Sequence, residues 1–332
     1  MNSNVTVLVG SVGQGVHRST DGGATWSRAS VGQGMHSDAI VRTLAVHPEN
    51  PHELFCGTDL GLYKSSDAGE TWGRVDCALN GYCVWSIAID RGNPSVMFAG
   101  TGTPTPCAIF RSDDGGATWS QKPADIAEEC PAVGVPRVTG FAIDPANPMS
   151  IWAGIEVDGL RHSADGGETW SRVGQEIPNM DLHSVAVVQG PPKRVFAVVN
   201  NDAWFTEDEG ESWTSVGVAD KFPLRYTRGF STSPADSKTV FFTIGDATPG
   251  LTGVIMRSDD TGSTWEPVEL PDEPNSAMWV VNLQPWDPNV AFAGSRYGYL
   301  YRSDDAGRSW SRIRREFSEI SSVLWVPTEA AN

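Results

Sequence analysis

The chain has 332 residues, with 41 acidic residues against 24 Lys and Arg and a formal net charge of −17. That balance argues against nucleic acid as a partner, because phosphate binding runs on clustered Lys and Arg. No apolar run approaches the roughly 20 residues that cross a bilayer. Met1-Asn-Ser-Asn4 opens neither a basic n-region nor an apolar h-region, so a soluble, cytoplasmic chain without membrane insertion is expected.

In chain order, Val5-Thr-Val-Leu-Val9 reads as a strand, followed by the phrase Ser19-Thr-Asp-Gly-Gly-Ala-Thr-Trp26. A fuller unit follows: Val41 to Pro48, Glu53 to Thr58, Gly61 to Ser65, a second phrase Ser65 to Trp72, and Thr71 to Val75. Each piece is short, rich in β-branched and aromatic residues, and bounded by Gly, Pro, Asn or Asp, which is a strand pattern. Segments such as Pro48-Glu-Asn-Pro51 and Pro145-Ala-Asn-Pro148 make the turns between the first two strands. The phrase returns at Ser112 to Trp119, Ser163 to Trp170, Thr206 to Trp213, Ser258 to Trp265 and Ser303 to Trp310. All seven copies fit [Ser/Thr]-x-Asp-x-Gly-x-[Ser/Thr]-Trp, with aspartates 43 to 52 residues apart. A period of that size means one supersecondary unit stacked repeatedly.

Four strands per unit, a to d, make one antiparallel sheet, and the phrase is its c–d hairpin. The Asp accepts main-chain amides in the turn, the Gly takes a backbone shape other residues resist, and the Trp packs between sheets. A calcium-loop reading of Asp113-Asp114-Gly115-Gly116 fails for want of a ligand ladder and closing Glu. The chain ends on Ile320-Ser-Ser-Val-Leu-Trp-Val-Pro327, which matches strand a, whereas Val5–Val9 matches strand b. The last strand should complete the first sheet and leave no open edge. The expected fold is all-β: a single seven-bladed β-propeller spanning residues 1–332, with a ring from about 5 to 327.

The phrases resemble the boxes of the BNR/Asp-box superfamily, whose members include sialidases, xyloglucan-active glucanases, sortilin-type receptors and photosystem II assembly factors. The resemblance covers the whole chain. It implies a propeller with its boxes outside, away from the active sites of the enzymes that carry them. It also implies two rival functions: a glycosidase-like hydrolase or lyase, or a binding scaffold holding a peptide or protein. Family sialidases have six blades and an Arg-Ile-Pro segment that is absent here.

The boxes hold 15 of the 41 acidic residues and one of the 24 basic ones, Arg308, so the opposite face is nearly balanced and admits an anionic ligand. On that face the d–a and b–c loops surround the channel. Aligning the strands a puts Arg42, Trp85, Thr139, His183, Arg228, Trp279 and Ser321 at one entrance position. Where the box barely varies, this ring does, and two Arg, two Trp and one His suit a pocket for an asymmetric ligand. Each residue also has a plainer reading: the arginines pair with nearby acids, the tryptophans plug the channel, and the histidine is structural.

The expected ligand-binding set is Arg42, Trp85, Thr139, His183, Arg228, Trp279, Arg296 and Tyr297, and the expected catalytic set Glu156, Asp181 and His183. Paired carboxylates could act on a glycosidic bond, one as acid and the other as base or nucleophile. Asp38, Asp59, Asp158 and Asp246 are further loop acids; Tyr82, Arg225 and Tyr226 are further rim residues. The ligand would be small, polar, carbohydrate-like or anionic, or a peptide, bound by a monomer. No nucleotide, cofactor or metal fingerprint occurs. Cys56 reads as core; Cys77, Cys83, Cys107 and Cys130 read as loop thiols, free or with a Cys77–Cys83 bridge as the alternative.

Overall fold

In the computed structural model, which describes residues 4–131 and 133–328, the chain forms seven four-stranded antiparallel sheets. Blade 2 shows the plan, with strands Val41–His47, Asn50–Thr58, Gly61–Ser65 and Gly73–Arg74 running from the axis outward. Blades 3 to 7 begin with inner strands Cys83–Ile89, Val138–Asp144, Leu182–Val188, Tyr226–Thr232 and Met278–Leu283. In blade 1 the inner strand is Ile320–Pro327, paired antiparallel with Val5–Ser11. The ring closes as its strand pattern requires. Among the described residues helix is confined to one turn at Val218–Lys221 and a 3-10 turn at Val31–Gln33, and no helix is long and apolar enough to cross a membrane.

Burial follows from each strand's place. The second strands lie between neighbours on both faces, so Phe55, Phe98, Trp152, Phe196, Phe241 and Phe292 are fully buried. The outermost strands are mostly exposed. Among the described residues seven apolar clusters form, one in each gap between blades. The core is therefore a ring of gaps around the channel.

Each box closes on itself. In the first, the Asp21 carboxylate accepts the Ser19 hydroxyl at 2.7 Å, the Thr25 hydroxyl at 2.6 Å and the amides of Ala24 and Thr25. The Ser19 hydroxyl accepts the Gly23 amide, and Trp26 Nε1 donates to Gly23 O, both at 2.9 Å.

Cys56 is fully buried in a second strand, as its position predicts, and all five cysteines are free, so no Cys77–Cys83 bridge forms. Cys83 departs from the loop assignment: it opens the inner strand of blade 3 and is buried. The strand starts one residue before the hydrophobic run that marks it.

Candidate functional site

At the start of every inner strand the hydrogen-bond ladder skips. Pairing steps from Val41 to Thr43, Val84 to Ser86, Val138 to Gly140, Leu182 to Ser184, Thr227 to Phe230, Met278 to Val280 and Ile320 to Ser322. The omitted residues are Arg42, Trp85, Thr139, His183, Arg228 with Gly229, Trp279 and Ser321. A bulge residue lacks a cross-strand partner, and the local bend re-aims its side chain. All seven predicted entrance residues are therefore bulge residues, and all seven line one cavity of about 520 Å³ at the channel mouth. Freed from pairing, these positions can vary without breaking the ladder.

Three of the seven brace the ring. The Thr139 hydroxyl lies 3.0 Å from Leu182 O of the next blade, and the Ser321 hydroxyl donates to Val41 O at 2.7 Å. His183 is buried, with Nδ1 2.6 Å from Thr227 O. The other four meet arginine with indole. The Arg42 and Arg137 guanidiniums lie 4.0 and 4.7 Å from the Trp85 ring centre, and those of Arg228 and Arg296 lie 4.0 and 4.5 Å from that of Trp279. Each tryptophan thus lines the wall with two cations against it, a favourable use of the ring quadrupole.

Four guanidiniums and two carboxylates, Glu156 and Asp181, line the cavity. Arg137 pairs with Glu156, and Arg296 with Glu319. No ion pair to Arg42 or Arg228 occurs among the described residues. Burial, then Arg228 and Arg42, lowers the pKa of Arg137. Burial likewise lowers that of Arg296, against the pull of Glu319. The mouth is thus electropositive in an acidic protein.

Asp181 and Glu156 face each other across the seam between blades 4 and 5, where their backbones form an isolated antiparallel bridge. One ligand-capable atom from each of Glu156, Asp181 and His183 lies within 4.8 Å of the other two. Burial works against ionisation of Asp181, but His183, Asn200 and Arg228 outweigh it and hold its pKa below the usual carboxylate value. Burial holds the His183 imidazole below its ordinary value, against the pull of Asp181.

The other expected residues divide. Arg296 and Tyr226 line the cavity; Tyr297, Arg225, Asp38, Asp59 and Tyr82 lie outside its lining. Tyr297 is 43% exposed. Tyr82 packs edge-on against Phe110, Asp59 accepts the Ile40 amide, and Asp246 accepts the amides of Leu251 and Thr252 in its own loop. Asp158 is buried beneath Arg161 and Arg172, where it pins the loop after blade 3. Arg137 was not anticipated. It sits two residues before the bulge, and the same alignment moved upstream by two reads Ile40, Cys83, Arg137, Asp181, Tyr226, Ala277 and Glu319. Main-chain bonds from Glu156 N to Arg137 O and from Asn200 N to Asp181 O, both 2.9 Å, join this ring to the b–c loops.

These features define a seven-bladed Asp-box propeller with a cationic, indole-lined channel mouth. The family model for the BNR/Asp-box repeat matches residues 17–28 and 110–121, so the chain carries BNR/Asp-box repeats. A xyloglucanase of Hypocrea jecorina is 25% identical, over 87% of this chain and 40% of its own length. An oligoxyloglucan-reducing end-specific xyloglucanase of Emericella nidulans is also 25% identical, over 69% of this chain and 34% of its own. The chain thus spans 40% or less of these two relatives. Among solved structures, YCF48 bound to a D1 peptide matches with a TM-score of 0.57 and 18% identity, covering 83% of this chain and 81% of that one, a likeness of fold.

Proposed function

We propose that the protein is a binding propeller whose channel mouth holds an organic anion, a carboxylate-bearing sugar or peptide, between Arg42 and Arg228. The observation that carries this reading is that these two guanidiniums stack on Trp85 and Trp279 without an ion pair among the described residues. Each lacks the carboxylate that Arg137 and Arg296 possess. An incoming carboxylate would gain charge-assisted bonds from arginines already oriented by stacking, and the indoles offer flat faces to a sugar ring or peptide side chain. A neighbour of the same fold binds a peptide, which is compatible with a polypeptide ligand.

Calorimetric titration tests this, using a hexuronate oligosaccharide and a short peptide ending in an acidic residue. Binding to the wild type is expected with at least one, weakened about a hundredfold or more in the Arg42→Gln/Arg228→Gln double variant. Wild-type binding of neither ligand, or equal binding by the variant, would refute the reading.

A second reading, glycoside hydrolysis, has the Glu156–Asp181 pair and the xyloglucanase relatives in its favour. Its difficulty is the proton. A catalytic acid must hold one at working pH, yet Asp181 is held below the usual range and Glu156 is paired with Arg137. Turnover of a xyloglucan oligosaccharide by the wild type, abolished in Glu156→Gln or Asp181→Asn without loss of thermal stability, would establish it instead.

A further inference from the structure

The seam between blades 4 and 5 contains an unresolved contact. The His183 Nδ1 lies 2.6 Å from the carbonyl oxygen of Thr227. A carbonyl only accepts, so Nδ1 carries the proton, and in the neutral ring Nε2 presents its lone pair. That lone pair faces Asp181 Oδ1 at 3.5 Å. Asp181 Oδ1 is itself buried without a hydrogen-bond donor. Two acceptors therefore confront each other, and the His183 side chain, only 4% exposed, is fixed in that direction.

We propose that Asp181 and His183, with Glu156 as a shared third ligand, form a binding site for one divalent transition-metal ion on the wall of the channel mouth. The spacing fits. Two ligand atoms bound at about 2.1 Å to a tetrahedral ion lie about 3.4 Å apart, against 3.5 Å between Nε2 and Oδ1. The Glu156 oxygen, within 4.8 Å of both, needs only a small side-chain shift to join them. A backbone carbonyl holding the remote imidazole nitrogen is the usual outer support of a metal-bound histidine. Imidazole with carboxylates selects zinc, cobalt or manganese over calcium, which takes oxygen alone. Arg137 competes for Glu156, so binding is moderate rather than irreversible. All three residues line the mouth cavity.

This site shares no residue with the proposed anion clamp, although both line the mouth and Arg228 acts on Asp181 through charge. The experiment is titration of chelator-treated protein with cobalt(II) and zinc(II), followed by calorimetry, thermal melting and the visible cobalt spectrum. One equivalent should bind and raise Tm, with a spectrum lacking thiolate charge-transfer bands. Asp181→Asn should weaken binding about tenfold or more, while Arg42→Gln/Arg228→Gln should retain it. A Cys77→Ser/Cys107→Ser/Cys130→Ser variant should also retain it. Failure of the wild type to bind, or unchanged affinity in Asp181→Asn, overturns the proposal. So does an imidazole nitrogen NMR signature at pH 7 showing Nε2 protonated, because an imidazolium–Asp181 pair would then fill the gap. Anion binding measured in chelator separates these failures from failure of the clamp.

Discussion

At the scale of single residues, the box glycines show how one atom decides what may vary. The fourth and fifth box positions both have positive φ in all seven copies. The fourth accepts Ala68, Glu209, Thr261 and Ala306, and a Cβ on Gly115 there would meet nothing within 4 Å. The fifth is glycine throughout. A Cβ on Gly167 would sit 2.3 Å from Phe98 of the preceding blade, and one on Gly307 2.6 Å from Phe241. Conformation alone is tolerable; the close approach is not. Gly167→Ala should therefore cost about 2–4 kcal/mol, combining left-handed strain with overpacking. Gly115→Ala should cost about 1–2 kcal/mol, and denaturant melts of the two variants would measure the difference. Legibility at the mouth follows the same logic. The seven bulge residues could be found because they share a register. The bracing bonds of Thr139, Ser321 and His183 could not, because their acceptors are carbonyls of the next blade, which no side-chain pattern encodes.

At the scale of the element, the box is a hairpin held by an ionised carboxylate. In Asp114 the Thr118 hydroxyl, then its amide, then the Ser112 hydroxyl hold the pKa down to about 2. Asp165 and Asp208 are lowered to about 2 in the same way, and Asp21 reaches about 2 despite burial. Asp67, Asp260 and Asp305 are lowered too, with burial as the opposing effect. A carboxylate whose folded pKa lies below its unfolded value contributes stability above the unfolded value and loses it as pH falls through the folded one. Tm should hold steady across the box titration above about pH 5 and fall between about pH 4 and 2. An Asp114→Asn/Asp165→Asn variant should show a shallower fall over that window, measured by calorimetry. The hairpin was fully legible in sequence, since all its partners lie within eight residues. Its outward reach was not: the Arg18, Arg111, Arg257 and Arg302 side chains each donate to a carbonyl in the box of the following blade.

At the scale of the whole molecule, closure and polarity make one argument. Because strand Ile320–Pro327 pairs with Val5–Ser11, the ring is sealed and its channel opens at two unlike ends. The mouth cavity holds the four guanidiniums. The opposite cavity, about 450 Å³, shares Phe141, Phe230 and Ser231 with it and is lined by apolar residues such as Ile89, Ile143, Val187 and Leu283 together with one acid, Asp90, and one arginine, Arg91. The box hairpins carry 15 of the 41 acidic residues, so an anion meets repulsion there and attraction at the mouth. The blade number and closure were readable because repeats align themselves. The sign of the mouth was only partly readable, because Arg137 and the pairing of Arg296 with Glu319 depend on loops converging from different blades. The most direct test is a crystal soaked in iodide, read by anomalous scattering. An anion peak between Arg42 and Arg228, lost in the double glutamine variant, is the predicted result. Iodide bound elsewhere on the surface, with nothing between those two arginines, would contradict it.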